Sequence, residues 1–253
     1  LDRQPGELAV LRQAPAVAGR PPRPRAPQET RTARLVEEVR AGTVAAPADS
    51  VLERVARHQD TAHGPLDSRT AAVELLNVLR PTVAVSWFVA FAAHALHRWP
   101  AHRERLRTGD DAFATAFAHE VRRFYPFAPF LGARTVTELS WHGESVPAGG
   151  ILLLDVYGQN HDEELWGDPY SFRPARFLDR PPGPDELIPQ GGGDPAGGHR
   201  CPGERITVGL LQALAVRLAH LDCTVPDQDL RIPLRRIPTR PRSGFAVTGV
   251  RAP

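Results

Sequence analysis

His199-Arg200-Cys201-Pro202-Gly203-Glu204 joins a glycine-rich loop to an amphipathic run. The loop is Gln190-Gly191-Gly192-Gly193, continued by Asp194 to Gly198. The run, Arg205 to Leu221, places Ile206, Leu210, Leu211, Leu214, Leu218 and Leu221 at helical spacing. Pro202 suits the first turn of that helix, because it has no N–H to leave unpaired. The sulfur of Cys201 therefore falls at a helix N-terminus, where backbone N–H groups and the dipole favour an anion, here a thiolate. A lone thiolate with no second cysteine nearby suits one axial ligand to a haem iron. It does not suit a four-ligand zinc site.

Composition narrows the field. The chain has 253 residues, 42% of them hydrophobic and 24% charged, which fits a soluble globular protein. A net charge of +2 argues against a function built on neutralising nucleic-acid phosphates. Every basic residue besides histidine is Arg. Two cysteines, Cys201 and Cys223, point to a reducing compartment. No signal peptide opens the chain. The apolar stretch Pro81 to Leu96 is short for a membrane span. There is no methionine, so the sequence reads as a processed product or a fragment. Residues 1–34, rich in Pro, Ala and Arg, read as a disordered or non-native lead-in, and 35–253 as the functional part.

Helices are expected over Thr32 to Arg40 and Ser50 to His58. A long one should open at Asp67-Ser68, run to Trp99-Pro100 and kink at Pro81. A short helix over Ala101 to Arg107 and one capped by Asp110 or Asp111, ending near Tyr125-Pro126, follow. Strands are predicted at Arg134 to Leu139, Ile151 to Val156, Cys223 to Val225, Arg231 to Ile237 and Phe245 to Val250, with Gly158 to Pro189 as loop. The fold class is mainly α with minor β. His94, His97 and His102 complete no metal spacing and read as surface or boundary residues, and Cys223 as a small core residue.

Glu120 and Arg123 lie three apart and share a helix face. An arbitrary Glu-x-x-Arg is most often a solvated pair. Here it precedes Pro174-Ala175-Arg176-Phe177 and then the cysteine loop. In that order the three segments resemble the C-terminal part of a cytochrome P-450, from about Leu35 to Arg251. The stretch Arg69 to Pro81, Glu120 to Phe127, Leu153 to Gly158, Asn160-His161-Asp162 and Ile188 to Glu204 is similar to the bacterial fatty-acid peroxygenase branch. The resemblance implies a P-450 fold whose N-terminal part, including the cover of the distal haem face, is missing from this chain. It also implies a haem b cofactor with Cys201 as iron ligand, His199 and Arg134 toward the haem propionates, and a buried structural cluster of Glu120, Arg123 and Arg176.

Arg80 sits mid-helix with Leu76, Asn77, Val83 and Ala84 as neighbours, none of them an acid. A buried guanidinium there needs an anion, either a distant carboxylate of the chain or a ligand. The resemblance implies that the anion is a fatty-acid carboxylate held by Arg80, with Pro81 beside it. Arg80-Pro81 then replaces the acid–alcohol pair of monooxygenases, and the bound carboxylate acts as general acid–base. Hydrogen peroxide would supply oxygen and oxidising equivalents, with no reductase partner, no nucleic acid and no membrane span. The expected reaction is hydroxylation of long-chain acids at the alpha or beta carbon, with decarboxylation as a side branch, in the bacterial cytoplasm. Two alternatives stay open: a non-catalytic truncated remnant and a reductase-dependent monooxygenase.

Overall fold

The computed structural model describes residues 11–13, 26–60 and 64–251. The elements run β1 (Leu11–Gln13), α1 (Ala26–Arg40), α2 (Val51–Arg57), β2 (Gln59–Asp60), β3 (Gly64–Pro65), α3 (Ser68–Arg98), α4 (Ala101–Arg107), α5 (Asp111–Phe124) and β4 (Phe130–Thr135). They continue with β5 (Leu139–Trp141), β6 (Glu144–Val146), β7 (Ile151–Asp155), α6 (Val156–Asn160), α7 (Glu163–Trp166), a 3-10 turn (Pro174–Phe177), α8 (Glu204–His220), β8 (Asp222–Thr224) and β9 (Thr248–Arg251). The protein is mainly α with minor β, as its sequence predicts. It divides into two units, residues 18–84 and residues 85–253 with β1.

The smaller unit is built on α1, α2 and the start of α3. Val36 and Val39 meet Ala56 and Ala71 in its core. Arg40 fastens the same elements, donating from Nε to the carbonyl of Ala56 and from a terminal nitrogen to that of Leu66, both at 2.8 Å. Ser50 caps α2 by accepting from the Glu53 N–H at 3.2 Å. Asp67 caps α3, its Oδ1 accepting from Arg69 at 3.0 Å and Thr70 at 3.1 Å. Of the lead-in expected over 1–34, Leu11–Gln13 is strand and 26–34 lies in α1, so that helix starts six residues before Thr32. Residues 1–10 and 14–25 lie outside the described residues. α3 runs 31 residues without a break at Pro81. Thr82 Oγ1 donates to the Val78 carbonyl at 3.0 Å on the turn where the proline lacks its N–H. Residues 77–83 are exposed, Arg80 among them.

The larger unit packs the end of α3 against α4, α5 and α8. Phe88, Phe91, Leu96, Leu106, Phe117 and Leu211 lie in its core. Among the described residues α3 is long and apolar enough to cross a membrane by length and composition. Its second half is nevertheless core: Phe91, Ala92, Ala95 and Leu96 are fully buried. Asp110 caps α5, accepting from the Phe113 N–H at 2.9 Å. The C-terminus of α8 leaves carbonyls that need donors. Arg103 reaches Leu218 and Arg107 reaches Ala219, each at 2.9 Å.

The main sheet is antiparallel in the order β1-β4-β7, with Phe130 opposite Asp155 and Arg134 opposite Ile151. β4 therefore starts four residues before the expected Arg134 and ends at Thr135. A separate hairpin, β5-β6, turns at His142 and Gly143, whose φ angles of 49° and 85° suit a primed turn. The expected strand at Arg231 to Ile237 is absent, and β9 starts at Thr248 to pair with β8. Cys223 is half-buried in β8 rather than in the core. The stretch from Gly158 to Pro189 also holds α7 and the 3-10 turn.

His94 is not a boundary residue. It is 7% exposed, and its Nδ1 lies 2.7 Å from the Tyr125 hydroxyl. Burial pushes His94, His119 and His161 down from the ordinary 6.5 to about 4. The unfolded chain takes up protons at these sites as pH falls below 6.5, and the folded chain does so only near 4. Their contribution to stability is thus whole above 6.5 and drains as pH falls through that window. The denaturant midpoint should be flat above about pH 7 and drop between there and about pH 5, ahead of the carboxylates. A midpoint that stays constant across that interval contradicts neutral burial of these rings.

Candidate functional site

Glu120 on α5 is fully buried, and a carboxylate there requires donors. Arg123, one turn on, meets it with a fork: Nε to Oε2 and a terminal nitrogen to Oε1, both 2.8 Å. The Arg173 backbone N–H donates to Oε1 at 2.7 Å. Arg176 brings Nε within 3.1 Å of Oε2, an ion pair without hydrogen-bond alignment. The two arginines then spend their remaining donors on backbone carbonyls. Arg123 reaches Asn160 and Pro169 at 2.9 Å, and Arg176 reaches Trp166 at 2.6 Å and Asp168 at 3.0 Å. The cluster thereby clips α5 to the segment from α6 to the 3-10 turn. Asn160 passes the constraint on, accepting from the Ile188 N–H at 3.1 Å just before the cysteine loop.

That loop is closed at its base. The Cys201 N–H donates to the Gln190 carbonyl at 2.9 Å, and His199 donates to Gly192 at 3.2 Å. Gly191, at φ +90°, lies so near the opposing backbone that a Cβ would sit 2.0 Å from the His199 oxygen. Only glycine fits there. α8 begins at Glu204 with Gly203 as its cap, so Pro202 stands just outside the helix rather than in its first turn. The Glu204 N–H donates to the Cys201 carbonyl at 3.1 Å.

Sequence reasoning missed the residue that joins α5 to this loop. Arg122 is completely buried next to Arg123. Its Nε donates to Gln190 Oε1 at 3.0 Å, one terminal nitrogen lies 3.1 Å from His119 Nδ1, and the other pairs with Glu204. Glu204 also takes Arg200 at 2.7 Å. Burial pushes the Glu204 carboxyl up, and the two guanidinium groups outweigh it, holding the group below the usual carboxylate range. Burial pushes Arg122 below its ordinary value against the pull of Glu204. The available signal was a second arginine on a helix whose other faces are apolar, three residues after His119.

Beside Cys201 lies a concavity of about 440 Å³. Phe127, Ala128, Leu131 and Val156 are among its apolar lining, and His199, Arg200 and Cys201 line it too. This is a donor set that fits an iron porphyrin: a single soft sulfur, apolar residues for a flat macrocycle, and the Arg200 guanidinium with the His199 ring for its acid side chains. Arg200 leaves one buried terminal nitrogen with no partner, a free donor for an anion. Among the described residues no group of three or more His, Cys, Asp or Glu is placed to hold a metal, so the thiol stands as a single donor. His199 is exposed at the edge of this concavity. Arg134 is not in its lining; it lies exposed on β4 and donates to the Gly149 carbonyl. Arg80 and Pro81 belong to the other unit. Arg80 is exposed, which corrects the expectation of a buried guanidinium, and it makes no hydrogen bond or ion pair with the described residues. Val78 and Leu79 are exposed beside it.

The family model described as Cytochrome P-450 matches residues 112–244. The chain is 41% identical to cytochrome P-450SP alpha, solved in complex with (R)-ibuprophen, with a TM-score of 0.79 over 90% of this chain and 56% of that one. It is equally 41% identical to a variant of cytochrome P-450 OleT in complex with arachidonic acid, with a TM-score of 0.79 over 90% of this chain and 54% of that one. Cytochrome P-450 4A11 of Homo sapiens is 27% identical over 64% of this chain and 33% of its own length. The chain thus spans a little over half of the solved relatives and about a third of the human one. The matched residues contain the Glu120 cluster, Arg122 and the whole cysteine loop, and with them the chain belongs to the cytochrome P-450 family.

Proposed function

We propose that this protein is a haem-thiolate oxidoreductase that hydroxylates long-chain fatty acids near the carboxylate with hydrogen peroxide. The observation that carries the reading is Arg80. It is an exposed guanidinium without a partner among the described residues, flanked by exposed Val78 and Leu79. Two solved relatives at 41% identity hold arachidonic acid and (R)-ibuprophen, both carboxylic acids with apolar bodies. An Arg fork takes a carboxylate with two hydrogen bonds, and apolar neighbours favour the attached chain. A haem held by Cys201 would supply the oxidising chemistry. Cys201 would be its axial ligand, with His199 and the unpartnered nitrogen of Arg200 available to propionates.

Arg80 and Pro81 provide no acid or hydroxyl for proton delivery, so the carboxylate held by Arg80 would accept and return the proton itself. Hydrogen peroxide would supply both the oxygen atom and the oxidising equivalents, and so no reductase would be needed. Both cysteines are free thiols, which suits a reducing compartment such as the bacterial cytoplasm. The test is a fatty-acid titration of the haem-loaded protein followed by its haem spectrum. Arg80→Ala should weaken binding by roughly one to two powers of ten, the loss of one charge-assisted contact of about 1.5–3 kcal/mol. The matching methyl ester should bind the parent equally poorly, and peroxide-driven turnover should fall further still. Unchanged turnover of long-chain acids by Arg80→Ala with peroxide would overturn the reading.

A further inference from the structure

We infer that Arg122 is a positioning residue for the Cys201 sulfur, one buried guanidinium holding both ends of the segment that presents it. The inference rests on the haem-thiolate reading above. Between Gln190 and Glu204, six of fifteen residues are glycine. Such a backbone has little stiffness of its own, so its anchors must set its geometry. On one side the Cys201 N–H is tied to the Gln190 carbonyl at 2.9 Å. The Gln190 side chain is in turn tied to Arg122 at 3.0 Å and to Thr207 at 3.2 Å. On the other side the Cys201 carbonyl accepts from the Glu204 N–H at 3.1 Å. The Glu204 carboxylate is tied to Arg122 and, at 2.7 Å, to Arg200.

Arg122 is the side chain common to both anchors. It is itself fixed by α5 and by His119 Nδ1 at 3.1 Å. Its side chain is 0% exposed, so water cannot take over its contacts. A lysine would keep the charge but not the planar fork that reaches Gln190 and Glu204 together. The two arginines and Glu204 carry one net positive charge beside the sulfur, and a thiolate closes the group to zero. This role differs from that of the Glu120 cluster, which fastens α5 to the segment from α6 to the 3-10 turn and touches neither Gln190 nor Glu204.

The experiment loads haem into the 253-residue chain and its variants. Three readouts matter: haem affinity, the reduced carbon monoxide spectrum and the iron reduction potential. Arg122→Gln should hold haem ~10–100-fold less tightly, the usual effect of removing a residue that orients a metal ligand. Its carbon monoxide complex should move from the red-shifted thiolate band toward the band of lost thiolate, and its potential should rise as the sulfur donates less. Arg122→Lys should restore part of each change, and Glu204→Gln should give smaller changes of the same sign. A merely structural residue would lower the melting temperature and leave the band and potential of the folded fraction in place. If the parent shows no thiolate band, the haem-thiolate reading itself falls. If the parent shows it, and folded Arg122→Lys and Glu204→Gln match the parent in affinity, band and potential, the inference is overturned. Those two variants decide the matter even if Arg122→Gln does not fold.

Discussion

Cys201→Ala in the haem-loaded protein is expected to abolish the red-shifted carbon monoxide band of thiolate ligation and, on the function proposed above, the peroxide-driven oxidation that depends on it. No other side chain in the lining of the concavity offers sulfur, so nothing substitutes for it. Cys223→Ala is the control. That residue sits half-buried in β8, outside the lining, and its loss should leave the band untouched. The comparison reads the ligand directly, because both variants remove one thiol of the same size. A Cys201→Ala protein that kept the thiolate band would refute the assignment of this sulfur.

Glu120→Gln should be the most destabilising conservative change in the protein. It preserves shape and removes the counter-charge from Arg123, which is completely buried, and from Arg176, which is nearly so. Breaking a buried ion pair from one side costs about 3–5 kcal/mol. Domains of this kind are stable by only about 5–15 kcal/mol. Removing Arg34 from its exposed pair with Glu38 should by contrast cost less than about 1 kcal/mol. Denaturant midpoints of the two variants test the contrast. A Glu120→Gln loss no larger than that of Arg34→Ala would show that the cluster carries no stability.

The parts legible in the sequence are those whose causes are local. Asp67 and Asp110 announce their helices because a cap needs only the next three residues. The cysteine loop is legible because glycines and a helix start lie side by side. What stayed hidden depends on partners far along the chain. Nothing near His94 foretells Tyr125, and Arg122 reads like Arg123 until Gln190 and Glu204 fold against it. β4 begins early because Phe130 pairs with Asp155, which outweighs the poor strand character of Pro129 and Gly132. The strand expected at Arg231 to Ile237 fails for a local reason that its apolar residues masked: Pro233 has no N–H to give a ladder, and Ile237 falls on the opposite face from Ile232 and Leu234. Arg80 was placed by its neighbours' apolarity, yet Asn77 and Val83 are exposed in the fold and Leu76 and Ala84 are only half-buried.

The meeting of two distant segments on the single carboxylate of Glu120 also constrains how this lineage can drift. Changing Arg123 alone leaves Glu120 to Arg176 and frees the carbonyls of Asn160 and Pro169. Changing Glu120 alone takes the counter-charge from both arginines and leaves them only backbone carbonyls. Lysine at either arginine position brings a point charge where a fork is engaged on several oxygens. Every single step away therefore costs stability, and a coordinated replacement of all three residues avoids leaving a buried charge unpaired. Val78 and Leu79, exposed on α3, carry no such linkage and can change one at a time. The buried cluster is held as a block, and the exposed face of α3 is free to vary residue by residue.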